Sequence, residues 1–230
     1  QPAGNPDTNG NGIGVAIYNT NEMYEDGIAA AAIAHCGHPS MVVTAPGDAY
    51  GRTYKDVLTD VVDYIAFAQT DIDYGYYRGG WRYGPNAVDS DNSVTGYVVL
   101  GLVYAESPPP FGFGLTIPAF VKTELNYWIN YIQNHDVTDT ENYGGSGYSD
   151  NITANILRTG TLLQEMAFVG DALTTPRVQD AIAYVERHWD ENNTDPGWRG
   201  TPDYYAYKQA MFTTMKGFTA YDINTITVQR

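Results

Sequence analysis

Apolar positions along this chain fall into runs of two kinds. In "DVLTDVVDYIAFAQ", residues 56–69, Val57, Leu58, Val61, Val62, Ile65 and Ala66 share one helical face while Asp56, Asp60 and Asp63 lie opposite. "FVKTELNYWINYIQ", residues 120–133, repeats this stripe with Val121, Leu125, Trp128, Ile129 and Ile132. "RVQDAIAYVERHW", residues 177–189, does so with Val178, Ala181, Ile182 and Val185. Other runs are apolar nearly all round, such as "IAAAAIA" at 28–34 and "VTGYVVLGLVYA" at 94–105, as expected of helices packed on every side. Alternation of enclosed and half-wet helices requires two concentric layers. The pattern predicts an all-α fold, an α/α barrel or toroid of about four helix hairpins.

Four segments share a plan in which a Gly-rich loop feeds a polar hinge and then an apolar helix. They begin at Asn9, Gly79, Gly144 and Pro196, and this spacing is that of a helical repeat architecture. "GGWRYG" at 79–84, then Asp89 with Asn92, Ser93, Val94, Thr95 and Gly96, and later "GGSGYSD" with "NILRTGTLLQEMAFVGD", resemble the prenyltransferase and squalene-oxidase repeats of terpenoid-cyclase-like toroids. The resemblance spans roughly residues 9 to 220 and is greatest to extracellular archaeal proteins carrying such repeats. Four helix pairs are fewer than usually close such a ring. The ring is then open, continued by further chain, or completed by other copies.

The 230 residues, 43% hydrophobic, suffice for one sizeable core, so residues 1–230 read as one domain with a flexible segment at 1–12. A chain beginning at Gln1 reads as a processed product or an excised fragment. The formal net charge of −15 and the absence of any basic cluster argue against nucleic acid or an anionic membrane surface as partner. No apolar run reaches the length of a membrane span, about 18 residues or more. A lone cysteine, Cys36, rules out an internal disulfide. Twenty tyrosines and two N-glycosylation sequons, at Asn151 and Asn192, give the composition of an extracellular or cell-surface protein.

Two acids carry the most specific candidate chemistry. The resemblance to squalene-hopene-type cyclases implies that Asp91 is a general acid protonating an alkene with Asp89 as its partner, and that Trp81 or Tyr83 steadies cations; Asn92 stands where the family's third acid would be. Read from the residues alone, "DSDNS" at 89–93 is a helix start whose side chains accept free N–H groups. "SDN" at 149–151 takes the equivalent place in the next repeat. A glycan-active barrel enzyme needs only two converging carboxylates, which 27 acids could supply.

His35, Cys36 and His38 are zinc-compatible but lack a fourth ligand at useful spacing, so they read as a helix C-terminus with Gly37 supplying the left-handed turn. "DTNGNG" at 7–12 has the first half of a calcium loop, but Tyr18 stands where the bidentate Glu belongs. "DIDYG" from Asp71 and "DVTDTE" from Asp136 are acidic turns that hold calcium only if the fold converges them. Trp81, Tyr83, Tyr148, Trp198, Tyr204 and Tyr205 lie in or just after the repeat loops, where they brace repeats or stack on a ligand. Nucleophile elbow, phosphate loop and dinucleotide fingerprint are absent. These features predict a secreted or surface module without catalysis, acting in binding or in assembly of a layer or filament. Its partners are other copies or surface glycans. No resident cofactor is expected, with calcium the one candidate ion.

Overall fold

The structure is a computed structural model and describes residues 5–189 and 208–227. It is all-helical among those residues, with α1 (Glu22–His35), α2 (Tyr54–Ala68), a 3₁₀ segment (Ile72–Tyr77), α3 (Asn92–Glu106), α4 (Ala119–Ile132), α5 (Ile156–Val169), α6 (Pro176–His188) and α7 (Lys208–Ala220). Among the described residues two isolated β-bridges, Val42 with Thr53 and Gln133 with Ser146, interrupt the helical pattern. The three one-sided helices expected at 56–69, 120–133 and 177–189 are α2, α4 and α6, each displaced by one or two residues from its apolar stripe.

The chain forms two compact units. One comprises Gln1–Ser90 with Tyr97–Glu124, the other Asp91–Gly96 with Leu125–Arg230, so α3 and α4 each contribute to both. In the first, Met23, Leu58, Ile65, Trp81, Leu102 and Val121 are wholly buried. In the second, Trp128, Ile129, Ile132, Ile156, Leu162 and Val185 are. Ala154, Ile156, Tyr184 and Val185 make a cluster there, flanked by Trp189, Phe218 and Ile226.

Local chemistry sets the helix ends. Thr53 Oγ1 accepts the Asp56 N–H at 3.1 Å to start α2. Pro176 occupies the first turn of α6, where its missing N–H costs nothing. Gly170, at φ +95°, ends α5 in the left-handed conformation. α1 ends at His35, followed by Cys36 and by Gly37 at φ +72°, as the C-terminus reading of "AHCGH" requires.

The same joint recurs in both units. Gln69, just after α2, donates through Nε2 to Gly79 O at 2.8 Å and Val121 O at 3.1 Å. Gln133, just after α4, donates to Gly144 O at 2.9 Å and Arg177 O at 2.8 Å. Backbone pairs Thr70/Gly79/Gly80 and Asn134/Gly144/Gly145 repeat each other too. Each Gln thus ties the end of a one-sided helix to a Gly-Gly loop and to the next one-sided helix.

Helices that follow the loops approach closely through glycine. A Cβ on Gly27 of α1 would sit 2.4 Å from Tyr97 O, and one on Gly101 of α3 2.6 Å from Gly27 O. In the second unit a Cβ on Gly160 of α5 would lie 2.5 Å from Thr214 N, and one on Gly217 of α7 2.6 Å from Gly160 O. Backbone meets backbone at both crossings.

Two expectations need correction. Asp60 and Asp63, placed by periodicity on the wet face of α2, are buried because residues 8–11 fold back over them: the Thr8 N–H donates to Asp63 Oδ2 at 2.8 Å, and Asn9 Nδ2 to Asp60 Oδ1 at 2.7 Å. The start of α5 is capped by Asn155, which accepts the Arg158 N–H at 2.9 Å, and not by residues 149–151. Asp150 instead closes its own turn on the N–H groups of Ile152 and Thr153.

Candidate functional site

Asp91 is wholly buried at the first turn of α3. Its Oδ1 accepts the N–H groups of Ser93 at 2.7 Å and Val94 at 2.9 Å, together with the Ser93 hydroxyl. These are three of the donors that a helix start leaves unsatisfied or that lie beside it, so Asp91 is the cap of α3. Its other oxygen, Oδ2, accepts the Tyr148 hydroxyl at 3.0 Å. The Arg158 guanidinium lies 4.7 Å from the centre of the Tyr148 ring, close enough for a cation–π contact.

Asn92, where the resembling family has a third acid, is also buried and serves as a hub. Its Nδ2 donates to Ser146 Oγ at 2.6 Å, and its Oδ1 accepts from Trp128 Nε1 at 3.4 Å. Asp89 has a different environment: its side chain is 44% exposed and pairs with Arg82 Nε at 3.4 Å. The two acids one residue apart therefore serve separate structural tasks.

Sequence reasoning missed Glu165. This residue of α5 is wholly buried, and neither of its carboxyl oxygens has a hydrogen-bond partner. Burial, and secondarily the negative charge of Asp91, hold its pKa well above the ordinary carboxyl value. One signal existed. Gly101, Glu165 and Gly217 are each the tenth residue of α3, α5 and α7, so a lone acid stands where two sister helices carry glycine.

The other predicted residues are scattered. Trp81 is wholly buried, and its indole N–H donates to Ile65 O at 2.9 Å, so it presents no face to a ligand. Tyr83 is half-buried beneath the Arg82 guanidinium, 4.8 Å from its ring centre. Trp198, Tyr204, Tyr205 and Asn192 lie outside the described residues. Asn151 is half-buried and its sequon partner Thr153 is exposed. Cys36 is exposed, and the His35 ring meets Tyr104 edge-on at 5.3 Å.

The acidic turns are satisfied locally: Asp71 accepts the Ile72 N–H, and Asp136 the Thr138 N–H and hydroxyl. Among the described residues no three His, Cys, Asp or Glu side chains form a ready metal-ligand set. Large side chains left in water were also missed, among them Tyr18, Tyr50, Tyr76 and Phe111 of the first unit, with Tyr18 96% exposed.

The sequence matches no protein-family model and no curated protein. No described helix is long and apolar enough to cross a membrane.

Proposed function

We propose that this chain is a toroid-type helical repeat module of the cell surface or extracellular space, working without catalysis, by binding or by self-assembly into a layer or filament. One observation supports this above the others: the Asp91 carboxylate that the resemblance marks as a proton donor is engaged by its own helix start and by Tyr148. Both of its oxygens are committed to donors of the protein itself, so neither is turned toward a substrate. The exposed aromatic side chains, Tyr18, Tyr50, Tyr76 and Phe111, supply amphipathic surface of the kind that stacks on sugars or on a second copy. Acidic composition and the sequon at Asn151 accord with that setting.

Light scattering and electron microscopy of the purified chain, with a glycan-binding screen alongside, test the reading. Concentration-dependent assembly or glycan capture that Tyr18→Ala and Tyr76→Ala weaken is the expected outcome. Turnover of an isoprenoid that Asp91→Asn abolishes with no change in melting temperature would sink it.

A cyclase-like enzyme is the second reading, and it draws on Glu165, a wholly buried carboxyl whose pKa is raised by burial and by the charge of Asp91. Glu165→Gln would then abolish turnover.

A further inference from the structure

The N-terminal segment contains a second set of oxygen donors that the assembly reading does not use. Asp7 Oδ1 accepts the Asn11 N–H at 3.0 Å and Asp7 Oδ2 the Gly12 N–H at 3.0 Å. Asn9 Oδ1 accepts the Asn11 N–H at 3.2 Å, and Asn11 Oδ1 the Ile13 N–H at 2.7 Å. Asp7, Asn9 and Asn11 are thus wrapped as the first, third and fifth members of a loop whose sixth member, Gly12, has φ +72°. That is the arrangement of a calcium loop, in which alternate side chains turn oxygen inward. What the sequence lacks is the carboxylate at the end of the loop.

α2 supplies one. Asp63 is 1% exposed; its Oδ2 accepts the Thr8 N–H at 2.8 Å, and its Oδ1 has no partner. The same carboxyl lines a cavity of about 410 Å³ together with Asp7, Gly12 and Ile13. A buried carboxylate oxygen without a donor is costly unless a cation meets it. Its neighbour Asp60 acts differently. Asp60 takes the amide N–H groups of Asn9 at 2.7 Å and Asn11 at 3.0 Å, and its charge is matched by Arg52. Asp60 therefore fixes both amides by their nitrogens and leaves their carbonyl oxygens to the loop, as an outer partner of a metal site does.

We propose that Asp7, Asn9, Asn11 and Asp63 form a calcium site that pins the N-terminal segment to α2. Two carboxylates and two amide oxygens suit a hard cation that takes six to eight oxygens and tolerates irregular geometry, and do not suit zinc. Such a donor set has only two charges, in keeping with the lack of any cluster of three His, Cys, Asp or Glu ligands among the described residues.

Calorimetric titration of the full chain with calcium chloride, against magnesium chloride at equal ionic strength, tests this. One calcium per chain is expected, with a dissociation constant on the order of 10⁻⁴ to 10⁻³ M, the range of extracellular modules, and no matching magnesium isotherm. Asp63→Asn should weaken binding at least tenfold. Asp7→Asn, on the exposed part of the loop where folding is not at stake, should do the same with helical circular dichroism unchanged. Absence of a saturable calcium isotherm, equal uptake of magnesium, or binding that survives Asp7→Asn would each overturn the proposal.

Discussion

Tyr148 donates its hydroxyl to Asp91 Oδ2 at 3.0 Å, using the oxygen that remains after Oδ1 has capped α3. The contact joins the Gly-rich loop before α5 to the start of α3, across 57 positions of sequence. Both ends of the bond sit in a network that includes Asn92, Ser146 and Trp128. A polar cluster of this kind makes sense as a fixed joint between the loop before α5 and the start of α3, since a donor lost there leaves a buried partner unpaired.

Glu165 gives a pH signature. Its folded-state pKa is raised above the ordinary value of 4.5, so the folded chain keeps a proton that the unfolded chain releases as pH climbs past that value. The unfolded state then binds fewer protons, and stability falls as pH rises. The melting temperature of Glu165→Gln minus that of the native protein should grow as pH rises above 4.5. Asp26 and Asp63 shift in the same direction but are common to both proteins and cancel in the difference. A difference that stays flat as pH climbs above 4.5 contradicts a raised Glu165 pKa.

The two glutamine joints should cost alike when broken. Gln133→Leu removes one buried and one part-buried hydrogen bond and leaves the Gly144 and Arg177 carbonyls without that donor, while Gln69→Leu removes two buried ones, to Gly79 and Val121. Each should lower stability by roughly 1–3 kcal/mol or more, because an unsatisfied buried carbonyl forfeits its solvation. Chemical denaturation of both variants checks the size and the equality.

Glycine at the α5–α7 crossing should tolerate nothing larger. Alanine in an open helical site stabilises by about 0.5–1 kcal/mol over glycine. At Gly160 the added Cβ would fall 2.5 Å from the Thr214 backbone nitrogen, so Gly160→Ala should destabilise by about 1–3 kcal/mol. Gly84→Ala, with nothing within 4 Å of the new atom, serves as the control and should change little.

How far the sequence was legible follows from the range of the forces involved. α2, α4 and α6 could be read because a one-sided helix writes its burial into a local period, visible in Val57, Val61 and Ile65 or in Leu125, Trp128 and Ile132. The end of α1 at His35 and Gly37 was legible for the same reason, since a left-handed glycine is a local device. Asp60 and Asp63 were misplaced because their cover comes from residues some fifty positions away, which no local period encodes. The cap of α5 fell at Asn155 because "SDN" and "TAN" offer similar oxygens, and only the path of the loop chooses between them. Glu165 looked like a helix former in an apolar run, and its missing partners are a property of three-dimensional packing. The acids at 89 and 91, identical in type, were separated by exposure alone.

The most direct measurement is the thermal midpoint of Asp91→Ala beside Asp89→Ala. Loss of the α3 cap removes about 1–2 kcal/mol, and stranding the Tyr148 hydroxyl adds about 1 kcal/mol more. At about 2–4 °C per kcal/mol for a chain of this length, Asp91→Ala should melt roughly 4–12 °C below the native protein. Asp89→Ala loses a half-exposed ion pair worth about 1 kcal/mol or less and should melt within a few degrees of it. An Asp91→Ala protein that melts with the native one would contradict the assignment of this acid to structure.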